Sequence, residues 1–275
     1  MDKKLLADLQ SKAKEIRKLT IEEIGTLGTG HIGGSMSIAD LLALLYFHRM
    51  KVDPANPRWE DRDQLVVSKG HAGPAVYAAL ALKGFFPKEW LGTLNQGGTR
   101  LPSHCDRNLT PGIDMTAGSL GQGFSAALGI ALGLRMDKKT SRVYTVIGDG
   151  ESDEGQIWEG ALFAAAQGLS NIIAFTDYNK QQLDGYTKDI LDLGDLSAKW
   201  AAFGWYTQEV DGHDLEALDE AVEKALAQKK APAMIIMNTI KGKGCFFAEG
   251  IEKNHSMAFN LEKAREAIAV LDGKQ

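Results

Sequence analysis

The chain has 275 residues, 44% of them hydrophobic and 24% charged, which is enough apolar material for the core of one large domain. A formal charge of −5, with no run of basic residues, argues against a nucleic-acid partner. The start, Met1-Asp2-Lys3-Lys4-Leu5, lacks an apolar core of signal-peptide length and no later apolar run is long enough to cross a membrane, so a cytoplasmic protein is expected.

Helical patterns and short apolar strands alternate along the chain. Residues 8–27 predict an amphipathic helix, and Ser37 is a candidate cap for a second helix carrying Leu41, Leu42, Leu44 and Leu45. Gln64-Leu65-Val66-Val67 predicts a strand that ends in a loop over 68–72, followed by a helix over 74–83 and an alanine-rich, glycine-punctuated helix over 122–136. Arg142-Val143-Tyr144-Thr145-Val146-Ile147 is short, continuous and β-branched, as a strand buried on both faces should be. A helix over 156–168 follows, with Trp158, Leu162 and Phe163 at core spacing, and then the strand Asn171-Ile172-Ile173-Ala174-Phe175-Thr176. Beyond Asn179 come a polar loop around Asp184-Gly185, a helix near 197–203, a strand over 206–210, a charged helix over 215–228 and a last strand over 233–238. The alternation implies an α/β fold, a doubly wound parallel sheet with helices on both faces. No repeat, low-complexity tract or linker divides it, so residues 1–275 read as one domain.

The ends of two strands carry the chemistry. Gly148-Asp149-Gly150 follows the strand before it, Asp177 and Asn179 follow the next, and ligands of open parallel sheets bind at that carboxyl edge. Glycines let the backbone approach an anion, while the Asp149 carboxylate and the Asn179 amide oxygen are hard donors of the kind Mg²⁺ or Ca²⁺ prefers. Together they look like a site for a metal-bound diphosphate. Taken alone, a Gly-Asp-Gly triplet is also a common turn with an Asx-type hydrogen bond.

Of the six histidines, His31, His71, His104 and His255 fall in polar or glycine-rich loops. Each alone reads as a surface or hydrogen-bonding loop histidine, a reading that their joint placement beside glycines makes poor. His48, in Tyr46-Phe47-His48-Arg49 on a helix, reads as structural; His213 sits in a turn before a helix that Asp214 is placed to cap. Cys105 and Cys245 are far apart and lack a paired-cysteine motif, which fits a reduced setting. Cys105 beside His104 reads as a lone, buried or partly buried cysteine rather than a reactive thiol.

The ordered pair of Gly148-Asp149-Gly150 and Asn179-Lys180 is the diphosphate and metal motif of thiamine diphosphate enzymes, and from about Ala13 to about Asn260 the chain resembles the amino-terminal part of transketolase. The other matching pieces, in order, are Gly30-His31, Ser68-Lys69-Gly70-His71-Ala72, Pro102-Ser103-His104, Thr116-Ala117-Gly118-Ser119-Leu120-Gly121-Gln122-Gly123, and Lys241-Gly242-Lys243-Gly244 leading to His255. The resemblance implies thiamine diphosphate and a divalent metal, Mg²⁺ or else Ca²⁺ or Mn²⁺, as cofactors. It puts the metal on Asp149, Asn179 and the main-chain carbonyl of Gln181, and the diphosphate end on Gly150, His71 and His255. Gly118, Leu120 and Ile240 would line the ring pocket, with Ser119 and Glu154 also in the cofactor-binding set. His31, His104 and His255 would surround the donor sugar, and with His71 they form the catalytic set. Imidazole suits the task because its pKa lies near neutrality, so it can donate or accept a proton as the bond between the second and third sugar carbons breaks and re-forms. Glu154 and Glu159 read, residue by residue, as a solvated helix start favourable to the dipole; the resemblance instead places them at a subunit interface.

The departures from the family pattern bear on the sugar rather than on the cofactor. Ser119 stands where the ring-contacting loop usually has proline, Ser256 replaces a glycine after the last histidine, Ile32 replaces a proline after His31, and the approach 251–254 is unusual. A complete transketolase continues with a pyrimidine-binding domain that carries the cofactor-activating glutamate, and then a C-terminal domain. With the chain ending at Gln275, these are expected on a separate partner chain, in an α2β2 assembly. The expected function is transfer of a two-carbon ketol unit from a ketose to an aldose, with ordinary sugar phosphates and sulfonated or branched sugars all open as substrates. Two other readings are the α subunit of a 2-oxo acid dehydrogenase, whose decarboxylation does not call for this set of sugar-facing histidines, and a non-catalytic subunit that only binds a partner.

Overall fold

The computed structural model describes residues 1–183 and 185–274, so the expected loop at Asp184 lies outside the described residues in part. Five strands form one parallel sheet: β1 (Gln64–Val67), β2 (Val143–Gly148), β3 (Ile172–Tyr178), β4 (Tyr206–Asp211) and β5 (Ala233–Asn238). Their spatial order is β1-β2-β3-β5-β4. Along β2, Tyr144 and Val146 enter one core while Val143 and Ile147 enter a second on the opposite face. A period of two with both faces buried is why these strands read as continuous apolar runs.

The main helices are α1 (Lys3–Leu27), α2 (Ala39–Leu44), α3 (Gly73–Lys83), α4 (Gln122–Met136), α5 (Gly155–Ala166), α6 (Leu196–Ala202), α7 (Leu215–Ala227) and α8 (Leu261–Leu271). Helices α1, α2, α3, α7 and α8 cover the first face; α4, α5 and α6 cover the second. Among the described residues no helix is long and apolar enough to cross a membrane.

Three local expectations are corrected. Ser37 does not cap α2: it ends the short helix Ile32–Met36, and its hydroxyl donates to Asp177 Oδ2 at 2.7 Å. On α5 the buried stripe is Ile157, Ala161 and Ala164, whereas Leu162 and Phe163 are 60% and 40% exposed because they point away from the sheet. Trp158 is half-buried and packs on Trp200, at 5.1 Å between ring centroids. Helix α1 starts earlier than the apolar pattern suggests, since Asp2 accepts from Leu5 N at 2.8 Å and caps it.

Helix α8 was not among the expected elements; its fully buried residues are Ala264 and Ala267, with Leu261, Ile268 and Leu271 packed beside them on the first core. It packs closely on α1: a Cβ added at Gly25 would lie 2.5 Å from Ala264 Cβ. That packing holds Met257–Ala258 antiparallel to Thr29–Gly30, with Gly30 opposite Met257. The pairing sets His255 beside His31.

Candidate functional site

A cavity of about 410 Å³ opens at the carboxyl edge of the sheet. Gly148 at the end of β2 is in register with Asp177 on β3, so the two loops that follow start side by side. Asp149 is 2% exposed; its Oδ1 accepts from Gly150 N at 2.8 Å and its Oδ2 from Lys180 N at 2.5 Å. Burial, reinforced by the charge of Asp177, pushes the Asp149 carboxyl up to about 7, a value that a bound cation would reverse. Asn179 donates through Nδ2 to Asp177 Oδ2 at 3.0 Å, which turns its Oδ1 toward Gln181 N at 3.1 Å. Two more buried oxygens on this cavity, Asp153 Oδ1 and Gln181 Oε1, have no hydrogen-bond partner among the described residues. No group of three or more His, Cys, Asp or Glu among the described residues is arranged to hold a metal, so any metal here would rely on amide and carbonyl oxygens beside Asp149.

Under this edge lies a set of buried charges to which the sequence reading gave no role. Lys69, 1% exposed, donates to Asp177 Oδ2 at 2.5 Å and to the Gly34 carbonyl at 2.7 Å. Asp177 also accepts from Ser37 and Thr239. Burial alone would raise the Asp177 pKa, but the Lys69 charge and these donors hold it below the ordinary carboxylate value. Glu151 gathers three loops: Oε1 accepts from Ser68 Oγ at 2.5 Å and Gly121 N at 2.7 Å, and Oε2 from Gly148 N at 3.0 Å. A usable signal did exist, since a lysine closing the apolar run 65–67 and an aspartate closing 172–176 are residue types almost never buried unless paired.

All four loop histidines line the cavity. Ring centroids of His31 lie 5.7 Å from His71, 5.4 Å from His104 and 5.3 Å from His255, and His71 and His255 are 4.7 Å apart. Burial lowers the pKa of His31, His104 and, most strongly, His71; a positive neighbour, Lys69, adds to the effect at His71. Neutral imidazole is therefore the resting form, able to accept at one nitrogen and donate at the other. Gly70 permits the close approach of the ring-contacting loop, because a Cβ there would fall 2.2 Å from the Ala117 carbonyl oxygen.

Gly118, Leu120, Gly150 and Glu154 also line the cavity, Glu154 from the exposed start of α5. Ser119 instead faces a neighbouring cavity of about 540 Å³ that shares His104 and Gly118. Ile240 is 39% exposed beside the site, and the residue after it, Lys241, is the one that lines it, with Nζ donating to the Leu183 carbonyl at 2.8 Å. Glu159 is exposed on α5. His48 stands apart, 3.5 Å from Asp219, and Cys105 and Cys245 are buried free thiols that burial pushes up to about 12.

Comparison with known proteins agrees with this geometry. The family described as transketolase, thiamine diphosphate binding domain, matches residues 9–271. The chain is 59% identical to the 6-deoxy-6-sulfo-D-fructose transketolase subunit SqwG of Clostridium sp. (strain MSTE9), covering 96% of each protein. It is 36% identical to an apulose-4-phosphate transketolase subunit of Phocaeicola vulgatus, over 94% of this chain and 92% of that one. Among solved structures, transketolase from Leishmania mexicana superposes with a TM-score of 0.90 at 31% identity over 97% of this chain. The chain spans only 41% of that transketolase. The chain belongs to the transketolase family, and the part of the family it matches is the thiamine diphosphate-binding domain.

Proposed function

We propose that this chain is the diphosphate-binding subunit of a two-chain transketolase, which moves a two-carbon ketol unit from a ketose to an aldose. The observation that carries the reading is one cavity lined both by Asp149 and Asn179 and by four histidines, with the His71, His104 and His255 rings 5.7, 5.4 and 5.3 Å, centroid to centroid, from the His31 ring. Thiamine diphosphate, when bound, supplies the carbanion at its thiazolium carbon. The site fits the group: the Asp149 pKa is raised as a cation-seeking carboxylate's would be, and unpartnered oxygens of Asp153 and Gln181 border the same space. Asp149, the Asn179 side-chain oxygen and the Gln181 carbonyl would hold Mg²⁺, a hard ion that prefers oxygen. Gly150, His71 and His255 would meet the diphosphate end, while Gly118, Leu120 and Ile240 would border the rings. His31, His104 and His255 would bind the donor's hydroxyls and carbonyl and move protons there.

The remaining domains of a full-length transketolase, with their activating glutamate, would come from a second chain in an α2β2 assembly. For the donor we propose a sulfonated ketose such as 6-deoxy-6-sulfo-D-fructose. The support is the 59% identity to a subunit named for that sugar, against 36% to one named for apulose 4-phosphate. The protein would work in the cytoplasm as a single-domain chain.

The test is a coupled ketol-transfer assay with thiamine diphosphate and Mg²⁺, offering 6-deoxy-6-sulfo-D-fructose, fructose 6-phosphate and pyruvate. The chain should be inactive alone and active once the neighbouring gene's product, resembling the rest of transketolase, is added. Transfer by a single chain that mass spectrometry shows free of partner would overturn the two-chain reading, and CO₂ release from pyruvate would overturn the transketolase reading. Preference for fructose 6-phosphate would overturn the sulfonated donor.

A further inference from the structure

We propose that His213 is a positioning residue for the wall of the site, holding the main chain at Ile240–Lys241 while a buried Arg17–Asp40 pair holds its ring. The sheet register explains the need. Pairing of β4 with β5 ends at Asp211 opposite Asn238, so the chain after β5 has no strand neighbour on that side. The His213 ring takes the place of one: Ile240 N donates to His213 Nε2 at 2.9 Å. Gly212 lets the two segments approach this closely, since a Cβ there would sit 2.5 Å from Thr239 Cγ2.

The other ring nitrogen is fixed as well. His213 Nδ1 lies 2.8 Å from Asp40 Oδ2, and Arg17 grips the same carboxylate with Nη1 at 3.0 Å and Nη2 at 2.5 Å. Arg17 and Asp40 are 8% and 6% exposed. An amide N–H can only donate, so Nε2 must accept; the ring proton then sits on Nδ1 and is given to Asp40. The pair thus specifies one tautomer and one ring orientation, the role that carboxylate partners play for histidines in metal sites.

What the ring holds is a junction of the site. Gly242 N donates to the Gly33 carbonyl at 3.0 Å, and the Lys241 carbonyl accepts from Asn254 Nδ2 at 3.1 Å. Gly33 N in turn donates to the Asn254 carbonyl at 3.0 Å. Gly33 is two residues from His31, and Asn254 precedes His255. Loosening Ile240 would therefore loosen the frame that brings these two histidines to 5.3 Å. His213 touches neither cofactor nor sugar in this account, and its catalytic consequence rests on the function proposed above.

The test compares His213→Ala, His213→Asn and His213→Gln in the assembled two-chain enzyme. The Gln amide oxygen lies as many bonds from Cβ as Nε2 and can accept from Ile240 N; the Asn side chain reaches only the Nδ1 position and serves Asp40 alone. In the full chain by itself, hydrogen exchange at the Ile240 amide should accelerate in the Ala and Asn variants and stay slow in Gln. In the assembly, Ala and Asn should weaken thiamine diphosphate binding by up to about ten-fold, the upper end of what one hydrogen bond is worth, with Gln within about two- to three-fold of the parent. Unchanged exchange in the Ala variant overturns the anchor. Faster exchange with unchanged cofactor affinity, or losses that follow melting temperature with no rescue by Gln, overturns the positioning role. A parent assembly that does not bind the cofactor at all overturns the functional reading and this role together, and is recognised because the parent itself fails while its Ile240 amide stays protected.

Discussion

Replacing Lys69 by Met should destabilise the fold in a way that its counter-ion can reverse. The ammonium and the Asp177 carboxylate are 1% and 0% exposed, so Lys69→Met leaves a dry charge with three of its four side-chain donors, Ser37, Thr239 and Asn179. Orphaning one member of a buried pair costs about 3–5 kcal/mol, and the remaining donors place this case near the lower end, about 3 kcal/mol. For a chain of this size that lowers Tm by roughly 6–12 °C. The pH dependence has a definite sign. In the parent, the Asp177 pKa lies below its unfolded value, so its contribution is present above the unfolded pKa and lost as pH falls through the folded one. Without Lys69 burial would dominate and raise the pKa, so stability would instead decline as pH rises, and the deficit should widen from about pH 5 to about pH 8. Lys69→Met with Asp177→Asn removes both charges and keeps an acceptor for Ser37 and Asn179, and it should recover most of the loss. Calorimetric melting of the three proteins at several pH values is the assay. A Lys69→Met variant within about 2 °C of the parent at about pH 8, or a double variant less stable than the single, would refute the reasoning.

Three further outcomes are expected. Asp149→Ala should abolish metal-dependent thiamine diphosphate binding in titration calorimetry on the assembly while leaving the fold intact, because the residue is at a loop beyond β2; unchanged affinity would remove Asp149 as a metal ligand. His31→Ala and His104→Ala should each slow ketose turnover on the order of 10², with cofactor affinity little changed, and the reverse pattern in steady-state kinetics and cofactor titration would show their roles to be wrong. Glu23 is 2% exposed with neither oxygen hydrogen-bonded among the described residues, and burial raises its pKa well above the usual range. A raised carboxyl pKa gives stability that is lost as pH rises, by up to about 1.4 kcal/mol per pH unit, so Glu23→Gln should flatten the dependence of Tm on pH above about pH 5; parallel curves would count against it.

The sequence signalled the sheet and its reactive edge because both rest on local patterns. Runs such as Val143 to Ile147 are strands on sight, being β-branched, continuous and short, and Gly148-Asp149-Gly150 after such a run marks a carboxyl edge. Partnerships across long separations left no such trace. Lys69 and Asp177 are 108 positions apart, and Arg17 and Lys243 are 226 apart, so neither contact could be inferred from spacing. Helix α8 was legible and passed over: Leu261, Ala264, Ala267, Ile268 and Leu271 recur at helical spacing on its core side, and Ala264 is small enough to sit against Gly25. On α5 the error ran the other way: Leu162 and Phe163 are large and apolar, yet the residues against the sheet are smaller ones, Ala161 and Ala164, set by the close contact of α5 with α4, where Gly160 would clash at 2.9 Å with Leu128 if it carried a Cβ.

The charges of the site are divided in a way that bears on what each end can bind. At the carboxyl ends of β2 and β3 lie three buried carboxylates, Asp149, Glu151 and Asp177, with two buried ammonium groups, Lys69 on Asp177 and Lys241 on the cavity wall. Left ionised, that set still carries a formal excess of negative charge; burial, and after it the charge of Asp177, put the Asp149 pKa at about 7. A diphosphate could not enter such a floor unaccompanied, since like charges at close range in low dielectric repel strongly. A divalent cation removes the conflict, because it is attracted to the same carboxylates that would repel the anion and it can bridge to phosphate oxygens. The sugar-facing histidines His31 and His104 have pKa values lowered by burial, and as neutral imidazoles they offer directional hydrogen bonds to hydroxyl groups without a net field. The acidic floor thus suits a metal-borne diphosphate and the histidine end an uncharged stretch of sugar. On the two-chain reading proposed above, discrimination at the terminal sulfonate or phosphate of the donor would fall largely to groups that the partner chain brings.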